Sequence, residues 1–180
     1  MNEAEKNQVE MHKDFFVRCE KSIKSGFYLE AILMEYAAIE SRLESICGVL
    51  GFPCGKDCIC RKDVLISSRI ECLRKCRNNN PELFAKSKLP FLFFTEKGNL
   101  NSWIGDRNRI VHGLYKNEIR YQSRIKKSKE LSEKGLEYSK CLYDEVKRLR
   151  RIRTNHPQLF DNIILICQKE NCKAFKAKKE

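Results

Sequence analysis

The sequence predicts an all-α fold, an antiparallel helical bundle, and three observations carry the prediction. Only 8 Gly and 4 Pro punctuate the 180 residues, too few for a turn-rich β-sandwich. Hydrophobic residues make up 42% of the chain, enough for a packed core. Between residues 28 and 50 the apolar positions recur at helical spacing for over six turns. At 21.2 kDa the chain fits one domain. The expected division is a helical domain over 1–155, followed by a C-terminal segment and basic tail over 156–180.

The elements follow in order. Met11, Phe15, Val17 and Ile23 predict an amphipathic helix over about 3–25, anchored by Phe15 and Phe16, with Ser25-Gly26 as its stop. Tyr28, Ile32, Tyr36, Ile39, Leu43, Ile46 and Leu50 step by three or four and form one apolar stripe. Glu35, Arg42 and Glu44 fall off that stripe and read as solvent positions, with Glu40 at its edge. Gly51-Phe52-Pro53 ends the helix. Asp63 is placed to cap a third helix over about 64–78, carrying Leu65, Ile66, Ile70 and Leu73 and stopping at Asn78-Asn79-Asn80-Pro81. Residues 81–98, with Leu83, Phe84 and the run from Leu89 to Phe94, fit a buried helical turn or a strand equally well. A short helix capped by Asn101 or Ser102 runs to about Val111–Tyr115. A long last helix over about 119–153 carries Ile125, Leu131, Leu136, Leu142, Val146 and Leu149. Beyond Asn155-His156-Pro157, Leu159–Cys167 is apolar enough to dock on the core.

Charge narrows the function classes. The net +12 is uneven: residues 107–153 hold 15 basic and 6 acidic side chains, or +9, whereas residues 1–50 balance at −3. A field concentrated in this way favours polyanions, with nucleic acid the foremost candidate. The alternative is a solvated helix face that serves solubility. No window approaches the ~18 consecutive apolar residues of a membrane span. The first fourteen residues contain no apolar core of a secretory signal, so a cytoplasmic location is expected. The ten cysteines are then thiols or metal ligands rather than a disulfide framework.

The chemistry concentrates at Asp106-Arg107-Asn108-Arg109-Ile110-Val111-His112. On a helix Asn108 and His112 share a face, and Arg107 lies about 100° around the axis. Trp103, Ile110, Val111 and Leu114 are free to face a core, which leaves a polar Arg-Asn-His edge. Gly105 weakens this helix locally and Gly113 is placed to end it. An Arg and a His near a helix end also have a purely structural use, bonding carbonyls and complementing the helix dipole.

Arg107-Asn108, three residues and then His112 form an R-N-x-x-x-H pattern that resembles the motif of HEPN domains, small all-helical modules associated with nucleotides and RNA. The context is similar over about residues 5–153: amphipathic helices, the motif helix, then a long last helix. The resemblance implies a metal-independent endoribonuclease without a cofactor, of the kind found in prokaryotic toxin–antitoxin and antiphage systems. It also implies a site completed where two motifs meet in a homodimer. The residue types suit that chemistry. RNA cleavage through its own 2′-hydroxyl needs proton transfer near neutrality, and histidine, with an unperturbed pKa of ~6.5, provides it. His112 takes that role, and Arg107 offers a planar cationic fork to the anionic phosphorane. Asn108 orients one of them or bonds the phosphate. One histidine does not easily serve as both acid and base, so two copies would divide the work.

Arg109, Lys116, Arg120, Arg124 and Lys127 are the expected RNA-phosphate contacts. HEPN toxins paired with a nucleotidyltransferase antitoxin usually show His-x-Tyr. Here Tyr115 falls one position late, as His112-Gly113-Leu114-Tyr115, and is a secondary candidate for modification by such a partner. The alternative is a non-catalytic module binding RNA, a nucleotide or a protein. Cys54, Cys58 and Cys60, spaced C-x3-C-x-C, are a minor zinc candidate, lacking the repeated paired spacing of zinc sites. Phe91, Phe93 and Phe94 suit a core better than a base-stacking platform. His12 and His156 read as surface residues.

Overall fold

The computed structural model describes residues 3–51, 66–89, 99–113 and 121–161. Its elements are α1 (Glu3–Lys24), α2 (Tyr28–Val49), α3 (Ile66–Asn79), α4 (Pro81–Phe84), α5 (Leu100–Gly113), α6 (Tyr121–Asn155) and α7 (Gln158–Asp161). The described residues are mostly helical and include no strand, as an all-α class requires. No described helix is long and apolar enough to cross a membrane.

Local chemistry sets the boundaries. At the end of α1, Gly26 adopts a left-handed φ of 82°, while Gly26 N–H donates to Ile23 O and Phe27 N–H to Ser22 O. This is the Schellman closure that a C′ glycine permits, so Ser25-Gly26 stops the helix as expected. Asn80 ends α3 by turning its side-chain amide onto the Cys76 carbonyl at 2.7 Å. Pro81 then opens α4 at the position where a missing N–H costs nothing. That resolves the first part of the ambiguous 81–98 stretch as a helical turn with Leu83 and Phe84 buried. The helix expected from 119 to 153 spans Tyr121–Asn155.

The chain divides into two compact units. The first comprises residues 1–39 and 102–140, the second residues 40–101 and 141–180, and α2 and α6 each contribute to both. In the first unit Cys19, Ala31, Ile32, Ile39, Trp103, Ile110, Leu131 and Tyr138 are buried. In the second, Leu43, Ile46, Leu50, Ile66, Ile70, Leu73, Leu83, Phe84, Leu142, Val146 and Leu149 are buried. Two contacts secure the second unit. Arg153 Nη1 donates to Val49 O at 2.7 Å, supplying a cation to the carboxyl end of α2. Arg148 Nη1 donates to Leu83 O at 2.9 Å.

Several sequence expectations need correction. Glu35 and Arg42 are buried rather than solvent-facing, whereas Glu44 is exposed as expected. Glu35 is three residues from Ile32 and four from Ile39, so it shares their face once the helix is enclosed on more than one side. Met11 and Val17 are 69% and 60% exposed, and Ile125 is 40% exposed, so none anchors its helix. Phe15 and Phe16 are half-buried in an edge-on pair 5.5 Å apart, and among the described side chains of α1 Cys19 is fully buried. The Leu89–Phe94 run beyond Leu89 and most of Leu159–Cys167 lie outside the described residues, as do Asp63 and Leu65.

Candidate functional site

The motif lies on α5, which runs unbroken through Gly105. Its inner face is fixed by Trp103, only 2% exposed, whose indole N–H donates to the Leu131 carbonyl at 2.8 Å. Tyr138 meets the indole edge-on at 6.4 Å. Ile110 is buried and Val111 half-buried on the same side. With that face committed, helical geometry turns Asn108, Arg109 and His112 outward, and all three are exposed. The polar edge expected from the sequence therefore exists, with Arg107 half-buried between core and solvent.

Arg107 has a distinctive setting. Its guanidinium carbon sits 4.1 Å from the centroid of the Tyr36 ring. Nη1 donates to Asn108 Oδ1 at 2.9 Å. Nε is buried and has no hydrogen-bond partner among the described residues. Arg109, in contrast, is bound to Asp106 at 2.7 Å, and Lys127 Nζ lies 3.9 Å from the same carboxylate oxygen. Two expected phosphate contacts therefore converge on one acid, an arrangement invisible in a simple count of charges. Arg124 is half-buried on α6. Lys116, Arg120, Leu114 and Tyr115 lie outside the described residues, and so do Cys54, Cys58, Cys60, Phe91, Phe93 and Phe94. Among the described residues no group of three His, Cys, Asp or Glu is arranged to hold a metal.

Behind this edge, the first unit contains a buried acid that hydrophobic periodicity alone does not reveal. Glu35 is 0% exposed, and neither carboxyl oxygen has a hydrogen-bond partner among the described residues. Burial pushes its pKa up to about 9, so the group is a neutral acid at pH 7. A Cβ on Gly135 would collide with Glu35 Oε2 and come within 2.7 Å of Trp103 Cζ2. Gly135 is thus the notch that admits both side chains. Cys19, also buried, has its thiol pushed up to about 12 by desolvation first, and then by the negative charges that Glu35 and Glu20 carry at the high pH where the thiol titrates. Such a thiol is unreactive at neutral pH.

No family model, curated protein or solved structure matches the chain. Any functional reading therefore rests on the residues themselves.

Proposed function

We propose that the protein is a HEPN-like, metal-independent endoribonuclease, folded as an antiparallel helical bundle and active as a homodimer. The observation that carries the reading is the pairing of exposed Asn108 and His112 on one face of α5 with Arg107, a cation that has no carboxylate partner among the described residues. The fixed inner face supports it, since Trp103 holds the helix in rotation and so keeps the edge outward.

In the proposed reaction an RNA 2′-hydroxyl attacks the adjacent phosphorus as His112 of one protomer removes its proton. The P–O2′ bond forms, the P–O5′ bond breaks, and the second protomer's copy of the histidine returns a proton to the leaving 5′-oxygen. The products are a 2′,3′-cyclic phosphate and a 5′-hydroxyl. Arg107 stabilises the extra negative charge of the phosphorane, and Asn108 orients the guanidinium. The basic 107–153 segment, with Arg109, Lys116, Arg120, Arg124 and Lys127, holds RNA phosphates. A toxin–antitoxin or antiphage setting in the cytoplasm belongs to the same proposal, with Tyr115 as a site for a nucleotidyltransferase partner.

The test is incubation of purified protein with RNA in EDTA beside His112→Ala. Cleavage by the wild type and at least a hundredfold loss in the variant is the expected result, on the order of a general acid–base contribution. RNA left intact by the wild type, or cut equally by both, removes the catalytic reading. Intact RNA that is nevertheless bound, with affinity falling steeply as salt rises, would establish the non-catalytic RNA-binding alternative.

A further inference from the structure

An arginine can be held in place with or without its charge being offset, and the two motif arginines show both cases. Arg109 is fixed by Asp106 at 2.7 Å, which offsets its charge. Arg107 is fixed by the Tyr36 ring of α2, 4.1 Å from its guanidinium carbon. An aromatic face attracts a guanidinium through its quadrupole and carries no net charge, so the cation keeps its full field.

The geometry points to Tyr36 as a positioning residue for Arg107. Its ring forms the wall against which the guanidinium rests, with one side of the fork left for a phosphate. Two further features fit this division. Arg107 Nε is buried and makes no hydrogen bond among the described residues, as expected for an edge turned away from water. Nη1 reaches Asn108 Oδ1, which is exposed and on the solvent side. One hydrogen bond to an exposed neighbour leaves the guanidinium free to rotate about it; the ring removes that freedom. Tyr36 itself is half-buried in the apolar stripe of α2, whose neighbours Ile32 and Ile39 are fully buried, so the wall is rigid. The kinetic consequence rests on the ribonuclease reading, whereas the placement of Arg107 does not.

The experiment uses the full chain labelled with 15N-arginine, the Arg107 signal being assigned by its loss in Arg107→Lys. In the wild type the Arg107 Nε proton should be shifted upfield by the ring and slow to exchange. Tyr36→Phe, which keeps the ring, should preserve both properties. Tyr36→Leu and Tyr36→Met, which remove it, should abolish them, and Met serves if Leu fails to fold. On RNA in EDTA, Phe should stay within about twofold of the wild type. Leu or Met should lower kcat by roughly ten- to a hundredfold with KM little changed, because a misplaced fork fails chiefly in the transition state. An unshifted, fast-exchanging wild-type signal, or one unchanged in Leu or Met, overturns the proposal. Phe failing to preserve the signal overturns it too. If the wild type cuts no RNA while the signal behaves as expected, the ribonuclease reading fails and the positioning of Arg107 stands.

Discussion

The two compact units each bury a glutamate, and they treat it in opposite ways. In the second unit Glu145, 2% exposed, is satisfied completely. Arg148 donates to it through Nε at 3.0 Å and Nη2 at 2.6 Å, and Ser87 Oγ donates at 2.8 Å. Arg148 in turn reaches the Leu83 carbonyl, so the acid ties α4 and its following turn to α6. In the first unit Glu35 is equally enclosed, yet neither oxygen has a partner among the described residues. Desolvation with no compensating donor drives it to the neutral form. The lesson is that burial alone does not determine what a carboxyl contributes; the donors packed against it do.

The largest expected effect comes from breaking the satisfied site. Glu145→Ala would leave Arg148, whose side chain is only 21% exposed, without its partner. A loss of roughly 3–5 kcal/mol in urea unfolding is expected, since removing one member of a buried pair strands the other. A loss below about 1 kcal/mol would mean that water replaces the carboxylate cheaply.

The next effect is linked to pH. The unfolded chain releases the Glu35 proton near 4.5, and the folded chain holds it to about 9. Across that interval the unfolded state binds fewer protons, so stability falls as pH rises and levels off above the folded value. Between pH 5 and pH 8 the loss should reach about 2–4 kcal/mol, and Glu35→Gln should flatten the curve and be more stable at pH 8. Chemical unfolding of both proteins across this range measures it; parallel curves would show that Glu35 is not the group responsible.

Gly135→Ala should cost about 1–3 kcal/mol in thermal unfolding, because the new methyl overlaps Glu35 and Trp103. Part of that cost should vanish in a Glu35→Ala background, and strict additivity would place the two residues out of contact. The smallest effect belongs to Glu20, on the surface of the same unit, whose carboxyl is held below its usual range by the Lys140 hydrogen bond at 2.7 Å. The sign is opposite to that of Glu35: its contribution is present above the unfolded pKa and lost as pH falls. Solvent screening limits the effect of Glu20→Gln to about 0.5 kcal/mol at pH 7.

Much of the framework is legible in the sequence because it depends on local spacing. The α2 stripe places Ile32, Ile39, Leu43, Ile46 and Leu50 in cores, and each is 3% exposed or less. The α5 pattern places Trp103 and Ile110 inward and Asn108 and His112 outward. Less is legible along α6, whose buried positions in the first unit include Ser128, Ser132, Gly135 and Ser139. Small and polar residues carry no hydrophobic signal, so the enclosed face there cannot be traced by apolar periodicity. The same limit explains Ile125, apolar and on the expected helix but exposed.

Local sequence accounts for the helical class, the helix stops and the outward turn of Asn108 and His112, because each follows from contacts within a few residues. Tertiary packing set which charged side chains are enclosed and what lies against them. Arg107 meets a tyrosine 71 positions earlier in the chain while Arg109 meets the nearby Asp106. Glu35 is enclosed beside Gly135, a hundred positions later, while Glu145 finds Ser87 and Arg148. A charge is set by its neighbours in space, and for most of these groups those neighbours lie far away along the chain.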